Sequence, residues 1–240
     1  MKIKSLCLIC ALVCAITIIS VGCGNKTGHS ENSITGTWVT KSPAFIDTKK
    51  YTDDKTDYYY TFEEGGKASV TTGTFSIVGK WYYVDNSGKK IDSLRNKVKI
   101  DVQTMISGTY SAEVKILSKD KYTLKLTDGS GTSMTLNSSE LPEIENKIPD
   151  DFKEVDYITG RWHAFDDEKD VYLFNSDGTC EIIQASLEIK GTYKVDEKNR
   201  IIKLTYLDHN QQNSWNIPYI VKENEKGQKI TFSNSVFIKE

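Results

Sequence analysis

A repeated order of short motifs is the feature that most restricts what this chain can fold into. The segment Ile34–Trp38 (ITGTW) recurs as Ile158–Trp162 (ITGRW). Three further motifs recur in the same order: Tyr60-Thr61-Phe62 with Gly66 as Tyr172-Leu173-Phe174 with Gly178, Gly79-Lys80-Trp81 as Gly191-Thr192-Tyr193, and Leu124–Thr127 as Ile230–Ser233. The first offset is 124 (162 − 38) and the second is 112 (172 − 60), so the first copy carries 12 extra residues between them. Four landmarks in one order indicate a tandem duplication.

Within each copy the pattern is almost entirely that of β-strands. Short segments alternate polar with apolar, β-branched or aromatic residues, and Gly, Asn, Asp and Ser separate them at positions where hairpin turns need positive φ angles. About eight strands per copy, each with one apolar face, predict an antiparallel up-and-down meander that closes on itself, since closure removes exposed edge strands. We therefore predict an all-β chain with one barrel over residues 34–137 and a second over 157–240.

The predicted cores are aromatic. We expect Trp38, Phe62, Phe75 and Trp81 to dominate the first, and Trp162, Phe174, Tyr193, Trp215 and Phe232 the second. Lining of a cavity for an apolar ligand is the alternative role for these side chains. Residues 138–156 between the barrels are acidic and read as a linker, in which Ser139 followed by Glu140 to Glu143 could start one short helix.

The N-terminus has the pattern of an export signal. Lys2 and Lys4 precede an uncharged apolar run from Leu6 to Ile19, and small residues lead to Cys23. Cysteine at that place resembles the lipobox of bacterial lipoproteins, which implies that residues 1–22 are removed and that the Cys23 thiol receives diacylglycerol. An uncleaved transmembrane anchor is the alternative. With either, we expect the chain on the extracytoplasmic face of the cell membrane, with residues 23–33 as a flexible tether.

Charge and cysteine content restrict the partners. The chain has 31 basic and 33 acidic residues, and removal of Lys2 and Lys4 with the signal leaves a net charge of −4. A mildly acidic chain offers no basic field for nucleic acid or for anionic lipid headgroups. Apart from Cys23, only Cys180 would remain after signal removal, so no intramolecular disulfide is expected. Cys180 lies in a predicted strand beside Ile182, which favours a small buried hydrophobe over a reactive thiol.

Gly36-x-Trp38 and Gly160-x-Trp162 begin the first predicted strand of each copy, and Tyr-x-Phe-x-x-x-Gly and Gly-x-Trp/Tyr motifs follow. This order resembles the lipocalin-like domains of small bacterial lipoproteins. The resemblance implies calycin-type barrels in which the tryptophan closes one end beneath the cavity. Lipocalins also stack a late-strand arginine on that tryptophan, whereas the last strands here hold Lys125, Lys229 and Lys239 and no arginine.

No catalytic, cofactor or metal motif is found in the sequence. There is no Gly-rich phosphate loop, zinc spacing or EF-hand loop, and the three histidines have no Ser, Cys or Asp partners at a recognisable spacing. The acidic clusters Asp53–Asp57 and Asp166–Asp170 could hold calcium but read better as solvated loops. We therefore expect no catalysis, no cofactor and no metal.

The extra loop of the first copy, roughly residues 42–57, is the best candidate for ligand binding, because long loops on rigid scaffolds often bind. It contains Phe45 and Tyr51 and leads into Tyr58 and Tyr60, and exposed aromatic side chains of this kind suit a glycan, a peptide or a protein surface. A tolerated insertion without function is the alternative.

These observations lead to three functional hypotheses. The first is a membrane-anchored lipoprotein with a binding or interaction role and no catalysis. The second is a carrier or sensor that holds a small apolar ligand inside a barrel. The third is a hydrolase acting on polymers of the cell envelope.

Overall fold

The computed structural model describes residues 29–30, 32–41, 56–95, 97–103, 105–224 and 227–240. Across these residues the chain is all-β and contains no helix. The N-terminal half holds β1 (Gly36–Thr40), β2 (Tyr58–Phe62), β3 (Lys67–Thr72), β4 (Phe75–Val84), β5 (Lys90–Ile91), β6 (Lys97–Val102), β7 (Ile106–Ser118), β8 (Lys121–Thr127) and β9 (Ser133–Ser139). The C-terminal half holds β10 (Gly160–Ala164), β11 (Val171–Phe174), β12 (Thr179–Gln184), β13 (Leu187–Asp196), β14 (Ile201–Asp208), β15 (Gln211–Asn224), β16 (Gly227–Phe232) and β17 (Ser235–Lys239).

Eight antiparallel strands close into a barrel, as the strand rhythm predicts. Strands β1 to β4 and β6 to β9 pair in chain order, and β1 closes the ring by pairing with both β2 and β9. Trp38 on β1 thus lies between Tyr60 of β2 and Ser138 of β9. The short β5 pairs only with the end of β4.

Nine further strands complete the fold: β5 and the eight strands of the C-terminal half. Strands β10 to β17 pair antiparallel in chain order, and β17 pairs back with β10. Trp162 on β10 lies between Tyr172 of β11 and Lys239 of β17. The register of this half therefore follows that of the first around its tryptophan.

Strand alternation sorts the side chains between an apolar inner face and a more polar outer one. On β2 Tyr58, Tyr60 and Phe62 are buried, while the residues between them are partly exposed. The buried residues form two clusters, one per half. The prediction that Phe75 belongs to the core of the first half is wrong. Phe75 begins β4 and packs against the C-terminal cluster, where its ring stacks on Tyr206 with centroids 6.1 Å apart.

The two signature tryptophans occupy the same setting. The side chains of Trp38 and Trp162 are fully buried, and each indole N–H donates to the carbonyl oxygen four residues earlier, at 2.8 Å (Ile34) and 2.7 Å (Ile158). Gly36 and Gly160 precede them with φ of +120° and +129°, a conformation that favours glycine.

The linker is not helical. Strand β9 runs through Ser139, and the chain then continues without regular structure to a turn at residues 150–151. The predicted short helix is wrong because Leu141 precedes Pro142, and the proline ring disfavours helical backbone at the preceding residue. Within the described residues, no helix is long and apolar enough to cross a membrane.

The halves are joined through a pair of corresponding strands. Strand β4 pairs antiparallel with β13, with Phe75 opposite Ile189, Ser76 opposite Glu188, and Ile77 opposite Leu187. Because 188 − 76 is the repeat offset of 112, Ser76 lies opposite its own repeat equivalent. A local twofold axis therefore passes between these two residues.

Hydrogen bonds on either side of this axis follow the same symmetry. The amide N–H of Val78 donates to the Ser186 carbonyl at 2.7 Å, and that of Lys190 donates to the Thr74 carbonyl at 3.0 Å. Lys190 and Ser186 are the repeat equivalents of Val78 and Thr74, so the two bonds are symmetry mates. The Thr72 hydroxyl adds a 2.6 Å bond to the Asp208 carboxylate across the junction.

Candidate functional site

A cleft of about 360 Å³ lies where the two halves meet, and we call it the junction cleft. Its floor is the outer face of β2, β3 and the start of β4, one end is bounded by Glu188 and Lys190 of β13, and one wall is the linker segment 141–146. Both halves and the connection between them therefore contribute to one concave surface. Concave surfaces of this kind at the junction of two units are common sites of ligand binding.

The floor of the junction cleft is rich in hydroxyl groups. Thr61, Ser69, Thr71 and Ser76 line it because they alternate with inward-facing residues of their strands. Thr71 Oγ1 and Ser76 Oγ are 2.8 Å apart and hydrogen-bonded to each other. Hydroxyl groups both donate and accept hydrogen bonds, so this floor suits a ligand that presents both kinds of group.

Charged side chains gather at the β13 end of the cleft. Lys67 Nζ lies 2.9 Å from Glu188 Oε2 and 3.8 Å from Glu63 Oε1, and Lys190 Nζ lies 3.9 Å from Glu188 Oε1. Burial alone would lower the pKa of Lys67, but its hydrogen bond to Glu188 and the charges of Glu188 and Glu63 outweigh burial and raise that pKa. The lysine is therefore held in its charged form, and its side chain, 45% exposed, lines the cleft.

The opposite wall is apolar. Leu141, Pro142 and Ile144 of the linker line it, and Leu141 is 45% exposed. The cleft thus combines a hydroxyl floor, an ion-pair end and an aliphatic wall. No histidine or cysteine lines it, so its described lining assembles neither a Ser–His nor a Cys–His nucleophile pair.

Two of the residues proposed from sequence as ligand-binding are placed by the structure, and both are internal. Tyr58 and Tyr60 are each only 2% exposed and point into the barrel, and burial raises the pKa of Tyr60 well above its usual range. The expected surface exposure of these two rings is therefore wrong, and their role in binding stays a prediction. Phe45, Tyr51 and the proposed lipidation site Cys23 lie outside the described residues.

Inside the barrel, aromatic rings pack against one another. Phe62 and Trp81 meet edge to face with centroids 5.9 Å apart, and Trp81 and Tyr83 do so at 5.0 Å. Tyr58 reaches the C-terminal half, where its ring lies 5.6 Å from that of His209. Side chains thus occupy the space between these strands, and the junction cleft lies outside it.

Each signature tryptophan is covered by a basic side chain that the motif alone does not identify. The His29 imidazole lies edge to face on Trp38 with centroids 4.5 Å apart, and Lys239 Nζ lies 5.4 Å from the Trp162 ring centroid. Burial lowers the pKa of His29, whose Nδ1 is buried without a hydrogen-bond partner. The neighbouring glycine is the signal that could have revealed them, because a Cβ at Gly36 would overlap the His29 ring and one at Gly160 would come within 2.8 Å of Lys239 Cε.

Two other surface features lie on the C-terminal half. A cleft of about 250 Å³ contains Tyr157, whose hydroxyl is 2.9 Å from the Glu197 carboxylate and 3.1 Å from the Tyr219 hydroxyl. Burial is the larger cause, and those two hydrogen bonds the next, of a raised pKa of Tyr157.

The second feature is an exposed apolar pair. Phe165 and Val236 are both exposed, and a 2.8 Å backbone hydrogen bond links them.

Cys180 is buried, as expected of a small hydrophobe. Burial raises the pKa of its thiol to about 12, so the thiol is protonated at neutral pH. Thiolate is the reactive form, so burial disfavours reaction of Cys180 in the folded chain. In the part of the chain that the structure describes, no three His, Cys, Asp or Glu side chains lie close enough together to hold a metal ion.

No model of a protein family matches the sequence, and no curated protein matches it either.

Proposed function

We propose that this protein is a lipid-anchored, extracytoplasmic binding protein built from two tandem lipocalin-like barrels, with the junction cleft as its binding site and no catalytic activity. The single observation that carries the proposal is the composition of that cleft. It combines hydroxyl groups, a charged end and an aliphatic wall on a surface to which both halves and the linker contribute.

The tandem-barrel part of the proposal is supported by matched local geometry. Beyond the tryptophan settings, the turn after the Tyr-x-Phe strand repeats: the Trp81 amide donates to the Gly66 carbonyl at 2.9 Å, and the Tyr193 amide donates to the Gly178 carbonyl at 2.9 Å. The pairing of β17 with β10 in the C-terminal half parallels the pairing of β9 with β1 in the other. Equivalent contacts at equivalent positions are what a duplicated unit would produce.

The ligand that fits best is a short glycan segment. Sugar hydroxyls can exchange hydrogen bonds with Thr61, Ser69 and Asn146, while the C–H faces of a sugar ring can pack on Leu141 and Pro142. The charged end, with Lys67 held protonated, suits a polar or acidic substituent on that glycan. A ligand of this kind would be met on the extracytoplasmic side of a membrane, where the lipobox-like N-terminus would place the chain.

Blocking the cleft tests this assignment. We expect Ser69→Tyr to lower glycan binding at least tenfold, because Ser69 lies on the cleft floor, while Thr135→Tyr, at an exposed outer-face position of β9, leaves binding unchanged. Binding would be measured on a glycan array and confirmed by calorimetry, with thermal unfolding as the folding control. A chain that binds no glycan, or equal binding by both variants, would contradict the proposal.

The carrier hypothesis is distinguished by native mass spectrometry of the purified protein. A barrel filled by its own side chains should carry no bound apolar molecule, so a stoichiometric co-purifying lipid or pigment would favour the carrier instead. Release of reducing ends from an envelope glycan by the purified protein would favour the hydrolase.

The membrane location has its own test. Lipidation requires the thiol of Cys23, so Cys23→Ala should abolish incorporation of a labelled fatty acid and processing of the signal. Labelled fatty acid remaining on the Cys23→Ala chain would show that the lipobox assignment is wrong.

A further inference from the structure

The hairpin between β7 and β8 extends the inner face of the barrel beyond its rim. Along β7, Ala112 is buried, Val114 is half-buried and Ile116 is 50% exposed, although all three alternate onto the same face. Leu117 at the tip is 64% exposed, and the ladder shifts register between Ile116 and Ser118. Two neighbouring large aliphatic side chains thus stand in solvent at the end of a paired β-ribbon.

This tip lies beside the segment that leads to the proposed lipid anchor. Ile116 pairs across the ribbon with Tyr122, and the His29 ring lies 5.6 Å from the Tyr122 ring. Cys23 precedes His29 by six residues, which span at most about 20 Å when fully extended. A lipid on Cys23 would therefore hold this end of the barrel within about 20 Å of the bilayer.

The ribbon is also locally basic in an acidic chain. Between Glu113 and Lys125 the charged residues are Glu113, Lys115, Lys119, Asp120, Lys121 and Lys125, which sum to +2. Lys115 is paired with Glu113 at 3.3 Å, whereas Lys119 and Lys121 flank the exposed tip. Apolar side chains surrounded by lysine suit the headgroup region of an anionic bilayer, where lysine amines meet phosphates and aliphatic groups enter the acyl boundary.

We propose that the β7–β8 tip, Ile116 and Leu117 with Lys119 and Lys121, inserts into the surface of the anionic membrane to which the chain is anchored. This inference rests on the proposed lipid anchor. Insertion would turn the Trp38 end of the barrel toward the bilayer and give the protein one fixed orientation on it.

A fluorescent label at the tip tests the inference. In the mature lipoprotein the Cys23 thiol would be blocked by lipid and Cys180 is buried, so Leu117→Cys introduces a single reactive thiol. The matched control is Gly129→Cys in the β8–β9 turn at the opposite end of β8, where an added Cβ meets nothing within 4 Å. Each variant, carrying an environment-sensitive dye, is reconstituted into phosphatidylcholine vesicles containing phosphatidylglycerol and brominated acyl chains.

We expect a blue shift and quenching by bromine for the label at position 117 and neither for the label at 129. Reversal of Lys119 and Lys121 to glutamate should abolish the shift, because each lysine near an anionic surface contributes about fivefold to binding. Equal emission from both labels in water-like surroundings would overturn the inference, and so would a shift at 117 that appears only after a soluble protein is added. Mass spectrometry of the N-terminal peptide reports the lipid separately, so loss of the anchor and failure of the tip to insert are distinguishable.

Discussion

Two glycines within β4 and β13 provide the sharpest test of the fold. Gly79 and Gly191 are repeat equivalents, and neither has a positive φ, so neither is required by backbone conformation. Both are required by space. A Cβ at Gly79 would overlap the Asp101 carbonyl oxygen, and one at Gly191 would overlap that of Thr205, far inside the 3.0 Å that real Cβ atoms keep.

The cost of alanine at these positions can be worked from that geometry. The overlapped atoms belong to the backbone of the neighbouring strand, which cannot rotate away as a side chain would. Overpacking of this kind costs about 1–3 kcal/mol, and we expect the upper end. Replacing glycine by alanine also restricts the unfolded chain, which returns about 0.4–1 kcal/mol. The expected net loss in the free energy of unfolding is therefore about 2 kcal/mol for Gly79→Ala and for Gly191→Ala.

Urea denaturation of each variant, followed by circular dichroism, measures this loss. Gly129→Ala is the control, because its Cβ meets nothing within 4 Å and the backbone is not strained. That variant should be unchanged or slightly more stable. If Gly79→Ala and Gly191→Ala unfold at the same urea concentration as Gly129→Ala, the close approach of the neighbouring strands at these two positions is refuted.

Three more predictions concern other contacts. Trp38→Phe and Trp162→Phe each remove a buried indole donor and leave a carbonyl oxygen unpaired. Each should therefore lower the free energy of unfolding, measured by urea denaturation, by about 1–3 kcal/mol, with similar values for the two variants. A loss at only one position would refute the equivalence of the two tryptophans. A double-mutant cycle on Lys67 and Glu188 should give a coupling below about 1 kcal/mol that shrinks in salt, since the lysine is 45% exposed; a larger coupling would mean that the pair is shielded. Cys180 should resist alkylation at pH 8 until the chain unfolds. Because its folded pKa is raised to about 12, the stability that it contributes is complete below pH 9 and declines as pH rises from 9 toward 12, a decline that Cys180→Ala should lack in urea titrations.

The barrel could be predicted from sequence because turn residues and alternation are local signals. The side chains of a strand that face inward are harder to predict. In Tyr58-Tyr59-Tyr60 every residue is aromatic, so the pattern could not tell which side chains face inward, and the structure buries the first and third. Phe75 packs against the C-terminal cluster instead of the predicted one for a similar reason, since a residue at the start of a strand can face the neighbouring half.

The junction could not be predicted from sequence at all. The residues that pair across it, such as Ser76 and Glu188, belong to no apolar pattern and carry no motif. The polar residues around His29 predict a flexible tether. In the structure its ring packs on Trp38, because Gly36 has no side chain to fill that space. Contacts between distant segments depend on which surfaces are left uncovered in the folded chain, and a single sequence does not reveal those surfaces.

The twofold axis between Ser76 and Glu188 has a consequence for how such a chain could have arisen. A contact in which a strand meets its own counterpart is isologous, and it is the kind that two identical copies of a single unit can form. Covalent connection through residues 138–156 makes that association intramolecular, at an effective concentration that is typically millimolar for short linkers. The two halves differ at the tryptophan itself: Lys239 lies over Trp162, whereas His29 lies on Trp38.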